Sequence, residues 1–122
     1  MAIDEFSLAR DKQDMEHLRL LLAFVLSADS NCIDVGAHTG GVLREIVRCA
    51  PDGRHIAYEP LPHLNQQLVQ DFPQVDVRLA ALSNRSGKET FTHVKTNPGF
   101  SGFRQRTYPG KEQLEIITVR IE

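Results

Sequence analysis

Leu18, Leu21, Leu22 and Val25 recur at helical spacing opposite Asp14, His17 and Arg19, which predicts a helix over residues 7–27 with one apolar face. Asp29 and Ser30 close that segment. Ile33 and Val35 then form the core of a very short strand, of the kind that sits inside a parallel sheet. A second helical stretch starts near Thr39 or Gly40, buries Val42, Leu43, Ile46, Val47 and Ala50, and stops at the turn residues Pro51, Asp52 and Gly53. His55, Ile56, Ala57 and Tyr58 make the next strand, which ends in Glu59. Pro60 and Pro62 stop it and open a third helix, where Leu64, Leu68 and Phe72 recur every fourth residue beside Val69 until Pro73. Over residues 75–82 the period becomes two, with Val75, Val77, Leu79 and Ala81 alternating with Asp76, Arg78 and Ala80.

Beyond that point the helices cease. A turn is predicted at residues 83–87, a strand at 88–94, a turn at 96–99 and a glycine-punctuated loop at 100–103. A last alternating strand, 115–121, places Ile117, Val119 and Ile121 on one side. No internal repeat, low-complexity tract or linker interrupts the chain.

With 122 residues the chain fits one domain, large enough to bury roughly two-thirds of its unfolded surface. A net charge of −2 supplies no electrostatic reason for nucleic acid or an anionic membrane as partner. No apolar run approaches bilayer-spanning length, and the acidic N-terminus lacks a signal-peptide pattern, so the expected compartment is cytoplasmic. Cys32 and Cys49 form no C-x-x-C pair and read as buried small hydrophobes. The histidines show no ligand spacing, so no metal site is expected.

The chemistry concentrates where the first strand meets the second helix. Strand, glycine turn, helix, strand and terminal carboxylate compose half of a nucleotide-type binding site. A dinucleotide fingerprint needs glycines at relative positions one, three and six. Counting from Gly36, the chain has Gly36 and Gly41 but His38 in the middle, where a Cβ would crowd a pyrophosphate. No Lys-Ser/Thr follows the glycines, which dismisses a Walker-type phosphate loop. S-adenosylmethionine carries no phosphate. It needs a close backbone turn, which Gly36 and Gly40 offer, and a carboxylate for its ribose diol, which Glu59 offers. Its cationic sulfonium and ammonium also suit a mouth carrying Asp34.

Residues 33–40 (Ile-Asp-Val-Gly-Ala-His-Thr-Gly), 50–53 (Ala-Pro-Asp-Gly), 57–62 (Ala-Tyr-Glu-Pro-Leu-Pro) and 81–84 (Ala-Leu-Ser-Asn) with Gly87 closely resemble the FkbM-type methyltransferases. The likeness runs in order over residues 30–122. It implies an α/β, Rossmann-like class I methyltransferase fold, three-layered around a mostly parallel sheet. Residues 1–30 would form a preceding helix and 31–122 the S-adenosylmethionine-binding half of the domain. The implied reaction is methyl transfer from S-adenosyl-L-methionine to a hydroxyl of a sugar or natural product. Carried over by position, Asp34, Gly36 and Gly40 line the methionine end, Glu59 holds the ribose, and Ala81 and Leu82 lie near the adenine. Ala37, His38, Thr39 and Pro60 complete the implied cofactor-binding set.

The chain departs from that family in two respects. His38 stands where the family often has Asn; it offers backbone contact only, a touch on the ligand carboxylate, or a catalytic base. The resemblance also implies further strands after residue 122, so the sequence reads as a truncated domain. The first strand would then expose an unpaired edge. It would be covered by another chain through self-association, be covered by the last strand folding back, or leave the product poorly stable. Asp34, His38 and His63 are the groups expected near the sheet mouth. The loop 97–106, with Gly99, Gly102, Arg104 and Arg106, is a candidate cover for an anionic acceptor. Two other readings stand beside the enzyme: an inactive cofactor-binding remnant or module completed by a partner, and a dinucleotide-binding domain.

Overall fold

The computed structural model describes residues 5–95, 101–103 and 113–122. The expected turn at 96–99 and the arginines Arg104 and Arg106 lie outside these residues. The described elements are α1 (Glu5–Val25), β1 (Ile33–Val35), α2 (Gly41–Cys49), β2 (Ile56–Tyr58), α3 (Pro62–Asp71), β3 (Asp76–Arg78), β4 (Gly87–Val94) and β5 (Leu114–Ile121). β1, β2 and β3 form a parallel sheet in that order, with Asp34 level with Ala57 and Ala57 level with Val77. β4 and β5 form an antiparallel pair. The fold class is α/β, and the β1-α2-β2-α3-β3 run is a Rossmann-like half-sheet.

α2 and α3 pack on the row that carries Ala57 and Val77. Ala37, Leu43, Ala57, Leu68, Phe72 and Val75 make one core, with Val47 and Val77 against it. Leu43, Val47, Leu68 and Phe72 are the core positions that the 3.6-residue spacing predicts, whereas Val69, expected beside them, is 50% exposed and Leu64 packs on a second cluster with Leu61 and Phe91. The turn after α2 is locked from two directions. The ring Nε2–H of His55 donates to the carbonyl of Ala50 (2.8 Å), and the N–H of Asp52 donates to that of Ala28 (2.8 Å).

Four expectations are corrected. β1 lies at the edge of the described sheet, in line with the expected unpaired edge, but its residues are not core: Ile33 and Val35 are 63% and 56% exposed, on the face opposite α2 and α3. α1 buries no residue fully; Leu21 and Val25 are exposed, and Leu18 and Leu22 are half-buried. A polar link ties it to α2 beside the approach of Met15 to Gly41: Arg19 Nε donates to Glu45 Oε1 (2.8 Å), and Arg48 Nε donates to Glu45 Oε2 (2.8 Å). Those two guanidiniums hold the buried Glu45 carboxyl below its usual range. The third strand is shorter than its pattern. After Arg78 the chain bends, with Ala80 N–H donating to the Arg78 carbonyl (3.0 Å), so Leu79 turns out to 50% exposure while Ala80 and Ala81 are both buried. The cysteines, finally, are free and only half-buried, with burial pushing the Cys32 thiol up.

The last strand does not fold back beside β1. β5 pairs with β4, and its end returns next to Ala81, which exchanges bonds with the Arg120 carbonyl (2.9 Å) and the Glu122 N–H (3.0 Å). Arg78 fixes the same corner, donating to Asp76, to Glu122 (3.0 Å) and to the Tyr58 hydroxyl (3.0 Å) while lying over the Tyr58 ring. A short third element joins the free edge of β4. The N–H of Thr92 donates to the Gly102 carbonyl (2.7 Å), Gly102 returns the bond (3.0 Å), and Val94 N–H donates to Ser101 Oγ (2.9 Å). No described helix is long and apolar enough to cross a membrane.

Candidate functional site

The bend between β1 and α2 alternates left-handed residues: Gly36 at φ 76°, His38 at φ 53° and Gly40 at φ 87°. Glycine takes such values freely; histidine takes them at a cost of about 1 kcal/mol or more. The bend is pinned from below by the Tyr58 carbonyl, which accepts from both Gly36 N–H (2.9 Å) and Ala37 N–H (3.0 Å). The two glycines act differently. A Cβ on Gly36 would meet nothing within 4 Å. One on Gly40 would lie 2.6 Å from Phe72 Cε2 and 3.0 Å from Leu68 Cδ2. Gly40→Ala is therefore expected to destabilise the chain by about 2–4 kcal/mol, combining overpacking with left-handed strain. Urea unfolding measures this, and a loss below about 1 kcal/mol would show that the bend is not wedged against α3.

Glu59 closes the bend from the side. It is 4% exposed, and every polar group it owns has a partner. Its N–H donates to the Arg78 carbonyl (3.1 Å) and its carbonyl accepts from Asn65 Nδ2 (3.3 Å). Oε1 accepts the His38 N–H (3.0 Å) and Oε2 accepts the Leu61 N–H (3.0 Å). An ionised carboxylate accepts about four hydrogen bonds, so roughly one lone pair per oxygen remains for a ligand. Successive N–H groups in alternating left- and right-handed backbone ordinarily make an anion cradle. Here the protein's own carboxylate takes the His38 N–H.

A cleft of about 330 Å³ opens beside this point. Of the ten residues expected at the site, Gly36, His38, Glu59, Pro60, Ala81 and Leu82 line it. Gly40 and Ala37 are buried behind the bend, and Thr39 is exposed away from the cleft walls. Asp34 lies beneath the bend. Its Oδ2 is buried without a hydrogen-bond partner, and burial followed by the charge of Glu59 pushes its carboxyl up. His38 Nε2 is likewise buried and unpartnered. His63 is not at the mouth. It stacks on His93 (centroids 5.4 Å apart) in a separate hollow that His93 shares with Glu115. Among the described residues no cluster of three His, Cys, Asp or Glu side chains converges for a metal.

Part of the remaining wall comes from the loop expected to cover the site, since Ser101 and Phe103 line the cleft; the contributions of Leu61 and Phe91 have no counterpart in the sequence reading. Leu61, Phe91 and Phe103 face the cleft, and Phe103 meets Phe91 edge to face (5.4 Å, 84°). For Phe91 the available sequence signal was the alternation in β4, which sets Phe91 and Thr92 on opposite faces without saying which face is covered. Pairing across β4 decides the matter, and pairing is not visible in one strand.

Fold and site together define a class: a Rossmann-like α/β half-sheet with a carboxylate at the tip of its second strand, gripping a glycine bend above an open cleft. No protein-family model matches the chain. Among curated proteins, the chain is similar to the AMB antimetabolite synthetase AmbE of Pseudomonas aeruginosa, 37% identical over 83 residues. That match covers 65% of this chain and 4% of the relative's length. Among solved structures, a precorrin-6y C5,15-methyltransferase from Geobacter metallireducens overlaps at a TM-score of 0.44 and 23% identity, over 51% of this chain and 37% of its own. The 23S rRNA methyltransferase ErmE gives 0.46 and 21%, over 56% and 28%. A SAM-dependent O-methyltransferase from Thermotoga maritima gives 0.45 and 11%, over 89% and 65%. All three are methyltransferases. Their overlaps are partial, and the α/β class stands on this chain's own strand order.

Proposed function

We propose that the chain is the S-adenosylmethionine-binding part of a methyltransferase of FkbM type, acting on a hydroxylated small molecule. The observation that carries this reading is the Glu59 carboxylate held 3.0 Å from the His38 N–H at the rim of the cleft. With one N–H of the bend already given to a protein carboxylate and Asp34 buried beneath, a phosphate would meet negative charge on both sides. A cationic sulfonium ligand with a ribose diol meets complementary groups.

Glu59 would hold the diol through its remaining lone pairs, and Gly36 leaves open space for the ligand to approach. Asp34 would face the cationic end, and Pro60, Ala81 and Leu82 would flank the base. When bound, S-adenosylmethionine supplies an activated methyl group. The left-handed φ at His38 also supports the family resemblance, because Asn, common there in that family, is among the residues that adopt it most easily. His38 lines the cleft, and its Nε2 is buried without a partner, so a ligand carboxylate or an acceptor proton would reach that nitrogen only after the ring turns. The similarity to a segment of an antimetabolite synthetase fits an acceptor of natural-product type.

Calorimetric titration with S-adenosylhomocysteine and with NAD tests the reading. Saturable binding of the first and none of the second is expected. NAD binding without S-adenosylhomocysteine binding would return the site to the dinucleotide class.

A further inference from the structure

The cleft has two unlike walls. One is polar and rigid, made of the bend and Glu59. The other is apolar: Leu61, two residues after Glu59, is joined there by Ala81, Phe91 and Phe103 from later in the chain. A ligand that satisfies both joins a hydroxylated group to a flat apolar one. Phe91 is almost fully buried, so the ring surface that a ligand can reach on this wall is that of Phe103, which is half-buried. The edge-to-face geometry with Phe91 matters here. Whichever ring presents its edge, at least one face of Phe103 is left uncovered by Phe91. That ring is also held in place. The Thr92–Gly102 bond pair and the Val94–Ser101 bond clip residues 101–103 onto the edge of β4, which fixes the backbone immediately before Phe103.

We infer that Phe103 is a specificity-determining residue of the cleft: its free face is the platform on which the planar base of the nucleoside ligand lies, with residues 101–103 acting as the clip that sets it there. The inference rests on the reading that the ligand is an adenosyl compound, and it extends that reading to a residue outside the β1-α2-β2 region. Base–aromatic stacking tolerates any base but requires a π face, so an aliphatic side chain of similar bulk does not replace it.

The sequence contains no tryptophan, which allows a direct test. Phe103→Trp places a single indole on the wall, and a base stacked on it quenches its emission. Saturable quenching by S-adenosylhomocysteine and by adenosine, with no response to methionine, is the expected result. Phe103→Leu, which keeps apolar bulk without a π face, is expected to bind S-adenosylhomocysteine about five- to tenfold more weakly than the unaltered chain while remaining folded by circular dichroism at the assay temperature. If the unaltered chain binds S-adenosylhomocysteine by calorimetry while the indole stays silent, responds to methionine, or Phe103→Leu binds equally well, the platform is overturned and the methyltransferase reading survives. If adenosine and NAD quench the indole but S-adenosylhomocysteine does not, the platform stands and the methyltransferase reading falls. If no adenosyl compound binds at all, both fall.

Discussion

Glu59→Gln is expected to weaken S-adenosylhomocysteine binding by about 100-fold or more and to lower the melting temperature as well. Each charge-assisted hydrogen bond to a carboxylate is worth roughly 1.5–3 kcal/mol, and the substitution affects ligand and protein contacts together. The amide keeps one acceptor oxygen but turns an NH₂ toward either the His38 or the Leu61 N–H, so a donor faces a donor in a site that is almost closed to water. The two effects have separate readouts, calorimetry for the ligand and thermal unfolding for the bend. A variant that melts lower yet binds normally would mean that the carboxylate serves only the backbone, and that the diol sits elsewhere. This is the sharpest check on the proposed site, because the Glu59–His38 contact is its central geometric fact.

Asp34→Asn is expected to move stability and binding in opposite directions. Burial and the neighbouring Glu59 charge raise the Asp34 carboxyl above its ordinary range. Between the unfolded value, about 3.9, and the raised folded value, the folded chain therefore holds more protons than the unfolded one, and stability falls as pH rises through that window. Removing the ionisable group removes that loss. At pH 7 the variant is expected to melt higher than the unaltered chain, a gain that shrinks as pH falls and vanishes below about pH 3, where the carboxyl is protonated in both states. The same change deletes the negative charge that would face a cationic ligand. S-adenosylmethionine, with its sulfonium, is expected to lose about tenfold in affinity, and the neutral thioether S-adenosylhomocysteine less. A variant that is both less stable at pH 7 and unchanged in affinity would remove Asp34 from the site.

The sequence carried the local parts of this architecture and missed those that depend on pairing between distant segments. The helices α2 and α3 were legible because Leu43, Ile46, Leu68 and Phe72 repeat at the period of the face they bury. The bend and Glu59 were legible because a glycine turn and a strand-end carboxylate have a fixed spacing along one βαβ unit. Three features were hidden. Ile33 and Val35 look like core residues, but a strand's exposure depends on its neighbours and on which face is covered, and here the second face is open. The break after Arg78 follows from the return of β5 to Ala81, a contact between residues forty apart in the chain (121 − 81 = 40). The left-handed backbone at His38 is hidden because a β-region or helical φ is the ordinary expectation for histidine; only its place between two glycines hinted otherwise.

The return of β5 to Ala81 also divides the fold into two docked units. The β4–β5 ladder zips from contacts internal to the last third of the chain, and the βαβ unit forms from its own near neighbours. They join through bonds at Ala81, Ser83 and Glu122, the Arg78–Glu122 ion pair, the His63–His93 stack and the apolar cluster of Leu61, Ala81, Phe91 and Val119. The amides of Ala81 and Glu122 are thus natural reporters in hydrogen–deuterium exchange. Undocking of the terminal ladder would release their protons before those of Ile56 or Leu43 exchange, and with it the Phe91 wall would leave the cleft while the bend stayed intact.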